Sequence, residues 1–396
     1  MKSHIIILLY IGVACVCGQI NSHKYPTASD VYNQSKVHVK QGGRHQPEYY
    51  GYEQPCPDAE DIAPCVCTYH TVDNVFFLDL DCSSINNEEQ LKQIFKADFP
   101  FKNFKTFAIE NNNHLKVLEA GVFNGISFEA IAMNNNKLEV IESQALDSCY
   151  ETATSLELEV NYLTYFPFNE LSLFPNLRRF DISSNSLSVI PADAFHGLTE
   201  LEHLYIYDNK ITSFPFDEVS QLSKLRDFDI SNNLLSVIPA DAFHGLTELE
   251  NLYLHENNAD IVGTFKDLPN LRDIWLVRNA MTTIPAQFIN TGSSHLREIY
   301  LAYNNIVSVE PGAFDIVDGL DIIMSVNSLS ILDEATWRPY LEAGRKLFAD
   351  YNPLVCGCDI AWLFGEDQLL EQVGRGATCN DGEYLQDLDP SIFDNC

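Results

Sequence analysis

Apolar and polar residues alternate over short stretches of this chain, and the alternation returns at a steady interval. "LRRFDISSNSL" (Leu177–Leu187), "LEHLYIYDNKI" (Leu201–Ile211), "LRDIWLVRNAM" (Leu271–Met281) and "LREIYLAYNNI" (Leu296–Ile306) share one frame, L-x-x-L-x-L-x-x-N-x-L. The x-L-x-L-x centre has period two, which predicts a short strand with one buried face. An asparagine closes each frame, and asparagines recur in phase at 112, 136, 161, 185, 209, 233, 257, 279, 304, 327 and 352, spaced 22 to 25 residues apart. The sixteen residues "LSVIPADAFHGLTELE" occur whole at Leu187–Glu202 and again at Leu235–Glu250, two such steps on.

That frame is the leucine-rich repeat signature. One turn of this size cannot cover its own apolar side, so neighbouring turns must stack to make a core, and every turn meets the same packing problem. The asparagine answers a second problem. Where the strand bends away, backbone donors and acceptors would be buried unpaired at about 1–3 kcal/mol each, and a side-chain amide supplies both a donor and an acceptor. After the asparagine, "LEAGVFNGI", "IPADAFHGL" and "VEPGAFDIV" carry Pro and Gly, which argue against regular helix on the outer side. The expected fold is a leucine-rich repeat solenoid, an α/β-class horseshoe with a right-handed coil. A curved parallel sheet lines its concave face and an irregular convex side backs it. Eleven strands at about 4.8 Å give a face roughly 50 Å long.

The register also places Cys149, which takes the slot filled elsewhere by Ile126, Phe174, Leu198, Leu222, Leu246 and Val317. It is expected to be a buried thiol serving as a small apolar residue, with an intermolecular disulfide as the alternative.

Lys2, the apolar run Ile5–Val16 and small residues before Gln19 read as a secretory signal over residues 1–18. No later run is long enough to span a membrane, and no C-terminal lipid anchor is expected. Residues 19–55 hold almost no Leu, Ile or Phe and predict a disordered Tyr/Gln/His-rich arm; they contain the chain's one glycosylation sequon, at Asn33. Of the nine cysteines beyond the signal, four cluster at 56–82 and four at 356–396. In an oxidising compartment such clusters are disulfides rather than metal sites, with three connectivities open to each. These features divide the chain into a signal (1–18), an arm (19–55), an N-terminal cysteine cap (56–100), an eleven-turn array (101–354) and a C-terminal cysteine cap (355–396). Of the net charge of −32, the first 55 residues contribute +2, so residues 56–396 carry −34. Such a field repels nucleic acid and anionic membranes.

No nucleophile elbow, phosphate loop, dinucleotide fingerprint, zinc helix or calcium loop is present, so no catalytic residue, cofactor or metal is expected. His196 and His244 belong to the duplicated stretch and should be solvated. What a solenoid offers is its concave face. In the outward slot between the strand leucines stand Ala108, Ala132, Glu157, Asp181, Tyr205, Asp229, Tyr253, Trp275, Tyr300, Ile323 and Phe348, with Tyr207 and Tyr303 one slot on. Arg178, Arg226, Arg272 and Arg297 line one edge beside Asp181, Asp227 and Asp273. Exposed Tyr and Trp among Arg are the composition of binding hot spots, so Tyr205, Tyr207, Tyr253, Trp275, Tyr300 and Tyr303 are the candidate binding residues. Cross-strand stacking that only strengthens the sheet is the other use for the same rings.

"CPDAEDIAPCVCTY", "QLKQIFKADFPFKNFKTFAI", "FPFNELSLFPNLRRFDISSNSLSVIP" and "NPLVCGCDIAWLF" resemble an arthropod group, the non-catalytic leucine-rich subunit of oplophorus-luciferin 2-monooxygenase and its relatives, over residues 56–396. The two cysteine clusters resemble the caps of secreted leucine-rich repeat proteins. The cap resemblance implies crossed pairs, Cys56 with Cys67 and Cys65 with Cys82, then Cys356 with Cys379 and Cys358 with Cys396. The subunit resemblance implies a secreted protein that binds and supports another polypeptide and performs no oxidation itself; with the solenoid's hollow side as the candidate surface, a protein partner on the concave face is expected. A structural role in extracellular matrix or cuticle is the alternative, followed by a pattern-recognition or inhibitor module. Oligomeric state is not legible in the sequence.

Overall fold

The computed structural model describes residues 55–396 apart from 73–74, 240–241, 262, 315–318 and 366–368. The expected signal, the arm up to residue 54 and the Asn33 sequon lie outside the described residues. Among those described, one sheet of thirteen strands follows chain order from residue 66 to residue 348. It begins with β1 (Val66–Val72) and β2 (Val75–Asp81), an antiparallel hairpin. Eleven parallel strands follow, β3 (Asn103–Ala108), β4 (Ser127–Ala132), β5 (Ser155–Glu157), β6 (Arg179–Asp181), β7 (His203–Tyr205), β8 (Asp227–Asp229), β9 (Asn251–Tyr253), β10 (Asp273–Trp275), β11 (Glu298–Tyr300), β12 (Asp321–Ile323) and β13 (Leu347–Phe348). This is the leucine-rich repeat solenoid, with its parallel sheet on the concave face.

Each parallel strand sends its middle residue into the core. Phe180, Leu204, Phe228, Leu252, Ile274, Ile299 and Ile322 are all 0% exposed, and the leucine frame before and after each strand is buried with them. Phenylalanines fill the space behind the strands. Phe95, Phe107, Phe123 and Phe128 meet at ring-centroid distances of 4.7–6.2 Å, and a second run links Phe195, Phe214, Phe228, Phe243, Phe265 and Phe288. At roughly 25 cal/mol per Å² of apolar surface buried, this continuous core is the main stabilising term.

The asparagines form a ladder, and each does what its chemistry allows. Asn185 Nδ2 donates to the carbonyls of Leu158, Ile182 and Ser183 at 3.0–3.1 Å, while its Oδ1 accepts from Leu163 N–H at 2.9 Å. The pattern repeats at Asn209, Asn233 and Asn257, and no ladder asparagine is more than 9% exposed. The residue before each one turns the corner in the left-handed region, with φ between 50° and 57° from Asn111 to Tyr351. Asparagine and aspartate accept that conformation readily, and β-branched residues resist it. Val160 and Val326 nevertheless occupy it, at φ 56° and 57°.

The outer side consists mainly of turns and short 3₁₀ segments, as Pro and Gly dictate, with small parallel ladders such as Val117–Leu118 against Val140–Ile141. A nine-residue helix, Glu334–Glu342, departs from this, held at its start by Asp333, whose carboxylate accepts from Thr336 N–H at 2.9 Å. At the N-terminal end, Cys56 is bonded to Cys67 and Cys65 to Cys82; at the C-terminal end, Cys356 is bonded to Cys379 and Cys358 to Cys396. Cys149 is free and fully buried, and burial pushes its thiol up to about 12. No helix among the described residues is long and apolar enough to cross a membrane.

Candidate functional site on the concave face

Strand register arranges the concave face as a grid. Ala108, Ala132, Glu157, Asp181, Tyr205, Asp229, Tyr253, Trp275, Tyr300, Ile323 and Phe348 stand side by side in one central column, each paired across to the next. Side chains of odd and even positions leave opposite faces of a strand, so this column follows directly from the buried leucine positions.

The grid has two chemical halves. The N-terminal half is ionic. Arg179 lies between Glu157 and Asp181, with Nε 3.0 Å from Glu157 Oε1 and a terminal nitrogen 3.6 Å from Asp181 Oδ2, and its guanidinium sits 4.6 Å from the centre of the Tyr205 ring. Tyr207 donates its hydroxyl to Glu159 at 2.5 Å. His203 Nδ1 meets Asp227 Oδ2 at 2.5 Å, and Asn251 donates to the same carboxylate. Burial lifts the Asp181 carboxyl to about 7, offset in part by Arg179. Burial also pushes Asp227 up, but hydrogen bonds from His203 and Asn251 outweigh it and hold that carboxyl below the usual aspartate range.

The C-terminal half is aromatic. Tyr253 and Trp275 are tilted at 6.1 Å, and Trp275 stacks on Tyr300 at 4.2 Å with the rings 21° apart. His255 packs beside both Tyr253 and Trp275, and burial lowers its basicity. Each contact of this kind contributes about 0.5–1.5 kcal/mol beyond area burial.

Chemically, this arrangement places carboxylates against fixed donors and stacks rings on a rigid sheet. Among the described residues no group of three or more His, Cys, Asp or Glu is placed to hold a metal ion. An open hollow of about 270 Å³ lies beside the central column, lined by Glu129 of β4 and by Thr152, Thr154, Asn176, Arg178 and Glu200 ahead of the next strands.

Residues 175–233 and 217–259 match the family model of the leucine rich repeat. Across 362 residues the chain is 30% identical to the oplophorus-luciferin 2-monooxygenase non-catalytic subunit of Oplophorus gracilirostris, covering 85% of this chain and 87% of that one. The chain belongs to this leucine-rich repeat family. Solved structures share the fold: a chain of the octameric complex of latrophilin 3, Unc5D and FLRT2 (TM-score 0.57, 21% identity, 74% of this chain and 90% of that one), and a chain of the glycosylated Toll–Spatzle complex of Drosophila (TM-score 0.61, 22% identity, 79% and 48%).

In this leucine-rich repeat protein the aromatic candidates are less open than expected. Tyr205, Tyr253 and Trp275 are 2%, 7% and 7% exposed, while Tyr207, Tyr300 and Tyr303 are half-buried. Stacking across rungs and the Arg179 contact take up part of their surface, so cross-strand stabilisation is one of their uses. Tyr303 is not equivalent to Tyr207. It precedes ladder residue Asn304 directly and occupies the left-handed corner, with Arg278 5.2 Å from its ring, and Ala302 holds the slot of Tyr207. The edge arginines differ too. Arg178 pairs with Glu202, and Arg226 and Arg272 share Glu250. Arg179 and His203 were missed by sequence reasoning, and Asp227, expected beside the edge arginines, is instead held by His203 and Asn251. The outward parity of Arg179 and His203 on their strands is the signal that identifies them. His196 and His244 are exposed on the outer side.

Proposed function

We propose that this leucine-rich repeat protein is a secreted, non-enzymatic binding subunit that holds a protein partner on its concave face. Its relative is named as a non-catalytic subunit, and a subunit so named works beside a catalytic chain. The observation that carries the reading is the run Tyr253–Trp275–Tyr300 set beside the ionic rungs around Arg179. Rings and charges already locked by their own chain lose little freedom when a partner arrives, which is how aromatic hot spots gain affinity. The half-buried Tyr207 and Tyr300 are two aromatic positions where that face meets solvent. Four disulfides and the secretory reading of residues 1–18 support action outside the cell.

The test compares tagged full-length chain with a Tyr207→Ala, Tyr300→Ala double variant in native secretions. A stoichiometric partner should co-elute with the wild type and fall about tenfold or more with the variant, at an unchanged melting temperature. Equal recovery with both proteins moves the site off this face.

A further inference from the structure

We infer that a second surface, on the flank just after the asparagine ladder, joins two copies of this chain around a twofold axis at Val189. At the first or fourth position after ladder asparagines stand Val140, Tyr162, Tyr165, Val189, Leu234 and Val237, which are 44%, 52%, 60%, 68%, 58% and 53% exposed. They form one row. Tyr162, Ser186, Lys210 and Leu234 each donate their N–H to a carbonyl of the turn before, at 2.8–2.9 Å, so the turns sit flush at this position. With side-chain areas of about 150–250 Å² for the aromatics and less for Val and Leu, these fractions leave on the order of 500 Å² of apolar surface open, a size that marks an interaction site. With its Ser and Thr rim, the row approaches the roughly 800 Å² per partner that a specific interface needs.

Charge selects a second copy as the occupant. Residues 56–396 carry −34, so two copies repel wherever acids lie. Over these five turns, the first, third and fourth positions after the asparagine include one acid, Glu139, and two lysines, Lys137 and Lys210. This stretch is therefore where like molecules meet little local repulsion. Both lysines point along the row, Lys137 to the Tyr162 hydroxyl at 2.9 Å and over its ring at 4.7 Å, and Lys210 to Ser186 Oγ at 3.2 Å. No Asn-x-Ser/Thr sequon occurs in residues 55–396, so no N-linked glycan covers the row.

The order of turns is self-complementary, as a twofold interface requires. With the axis at Val189, that residue meets its own copy. The turn of Tyr162 and Tyr165 then faces Lys210 of the second copy, a cation–π pairing that Lys137 and Tyr162 already make within one chain. Val140 faces Leu234 and Val237. Parallel docking of the same rows gives no such match.

Sedimentation of the full chain over a micromolar concentration series tests this. A dimer is expected for the wild type. Val189→Glu places two carboxylates at the axis and should raise the dissociation constant roughly a hundredfold, with an unchanged circular dichroism spectrum. Ile331→Glu alters the same repeat position outside the row and should leave the dimer intact. A monomeric wild type, a dimer that survives Val189→Glu, or equal dissociation by both variants overturns the inference. None of these outcomes bears on the concave face.

Discussion

The concave face and the asparagine-side flank are drawn from the same repeat, yet they hold their side chains differently. On the concave face, polar and aromatic groups are mostly buried and tied to one another, as Arg179 is to Glu157, Tyr207 to Glu159 and Trp275 to Tyr300. On the flank, Val189 and Tyr165 stand open and the lysines touch only hydroxyls and a ring. The difference follows from which side chains stand next to one another. Strands within a sheet lie about 4.8 Å apart, so the large neighbouring side chains of the concave face are forced into contact. On the flank the turns are bonded as closely, but the short Ser186 and Ser213 stand among the larger Tyr165, Val189 and Leu234. A solenoid can thus present one preorganised surface and one free surface without changing its frame.

Both surfaces depend on the ladder, so its loss has the largest effect. Asn209→Leu removes the donor shared by the carbonyls of Ile182, Ile206 and Tyr207 and the acceptor of Leu187 N–H. The expected cost is about 4 kcal/mol in chemical denaturation, at 1–3 kcal/mol per stranded group with partial relaxation. A loss below about 1 kcal/mol means that water replaces the amide.

Titration separates the two faces at intermediate magnitude. Asp181 binds its proton more tightly in the folded state, with a carboxyl at about 7 against the ordinary 3.8. Its contribution favours folding below the lower value and is lost as pH rises through 7. Asp181→Asn should therefore gain stability relative to wild type as pH climbs from 5 to 8 and show no gain below about 4. Melting temperatures across that range check it, and a pH-independent difference contradicts the buried ionic half. The flank, with no such carboxyl, should contribute nothing to this slope.

The smallest effect concerns the corners. Val160→Asn places at φ 56° a residue type that other turns use there, as Asn135 and Asn232 do. A gain of about 1 kcal/mol is expected, read as a higher denaturation midpoint.

Periodicity made the repeat, the ladder and the central column of the concave face legible, because each depends only on which residues face the core. It left the edge arginines unresolved, since Arg178 stands just before the strand and pairs along the edge with Glu202, whereas Arg179 opens β6 and reaches Glu157 and Asp181. Tyr303 was misplaced by one residue because it lies three beyond Tyr300 where Tyr207 lies two beyond Tyr205, which makes it the corner residue before Asn304. Exposure was the least legible property, because the burial of Tyr205, Tyr253 and Trp275 depends on surroundings that a single turn does not encode. The open row on the flank was not read from the sequence, although Val140, Tyr165 and Val189 stand at one fixed position after their asparagines.

Hydroxyl-radical footprinting of the tyrosines, with and without the partner recovered from native secretions, tests the division most directly. Protection is expected at Tyr207 and Tyr300 on adding the partner, with Tyr162 and Tyr165 responding only to the concentration of the chain itself. Partner-dependent protection of Tyr162 and Tyr165, with Tyr207 and Tyr300 unchanged, contradicts it.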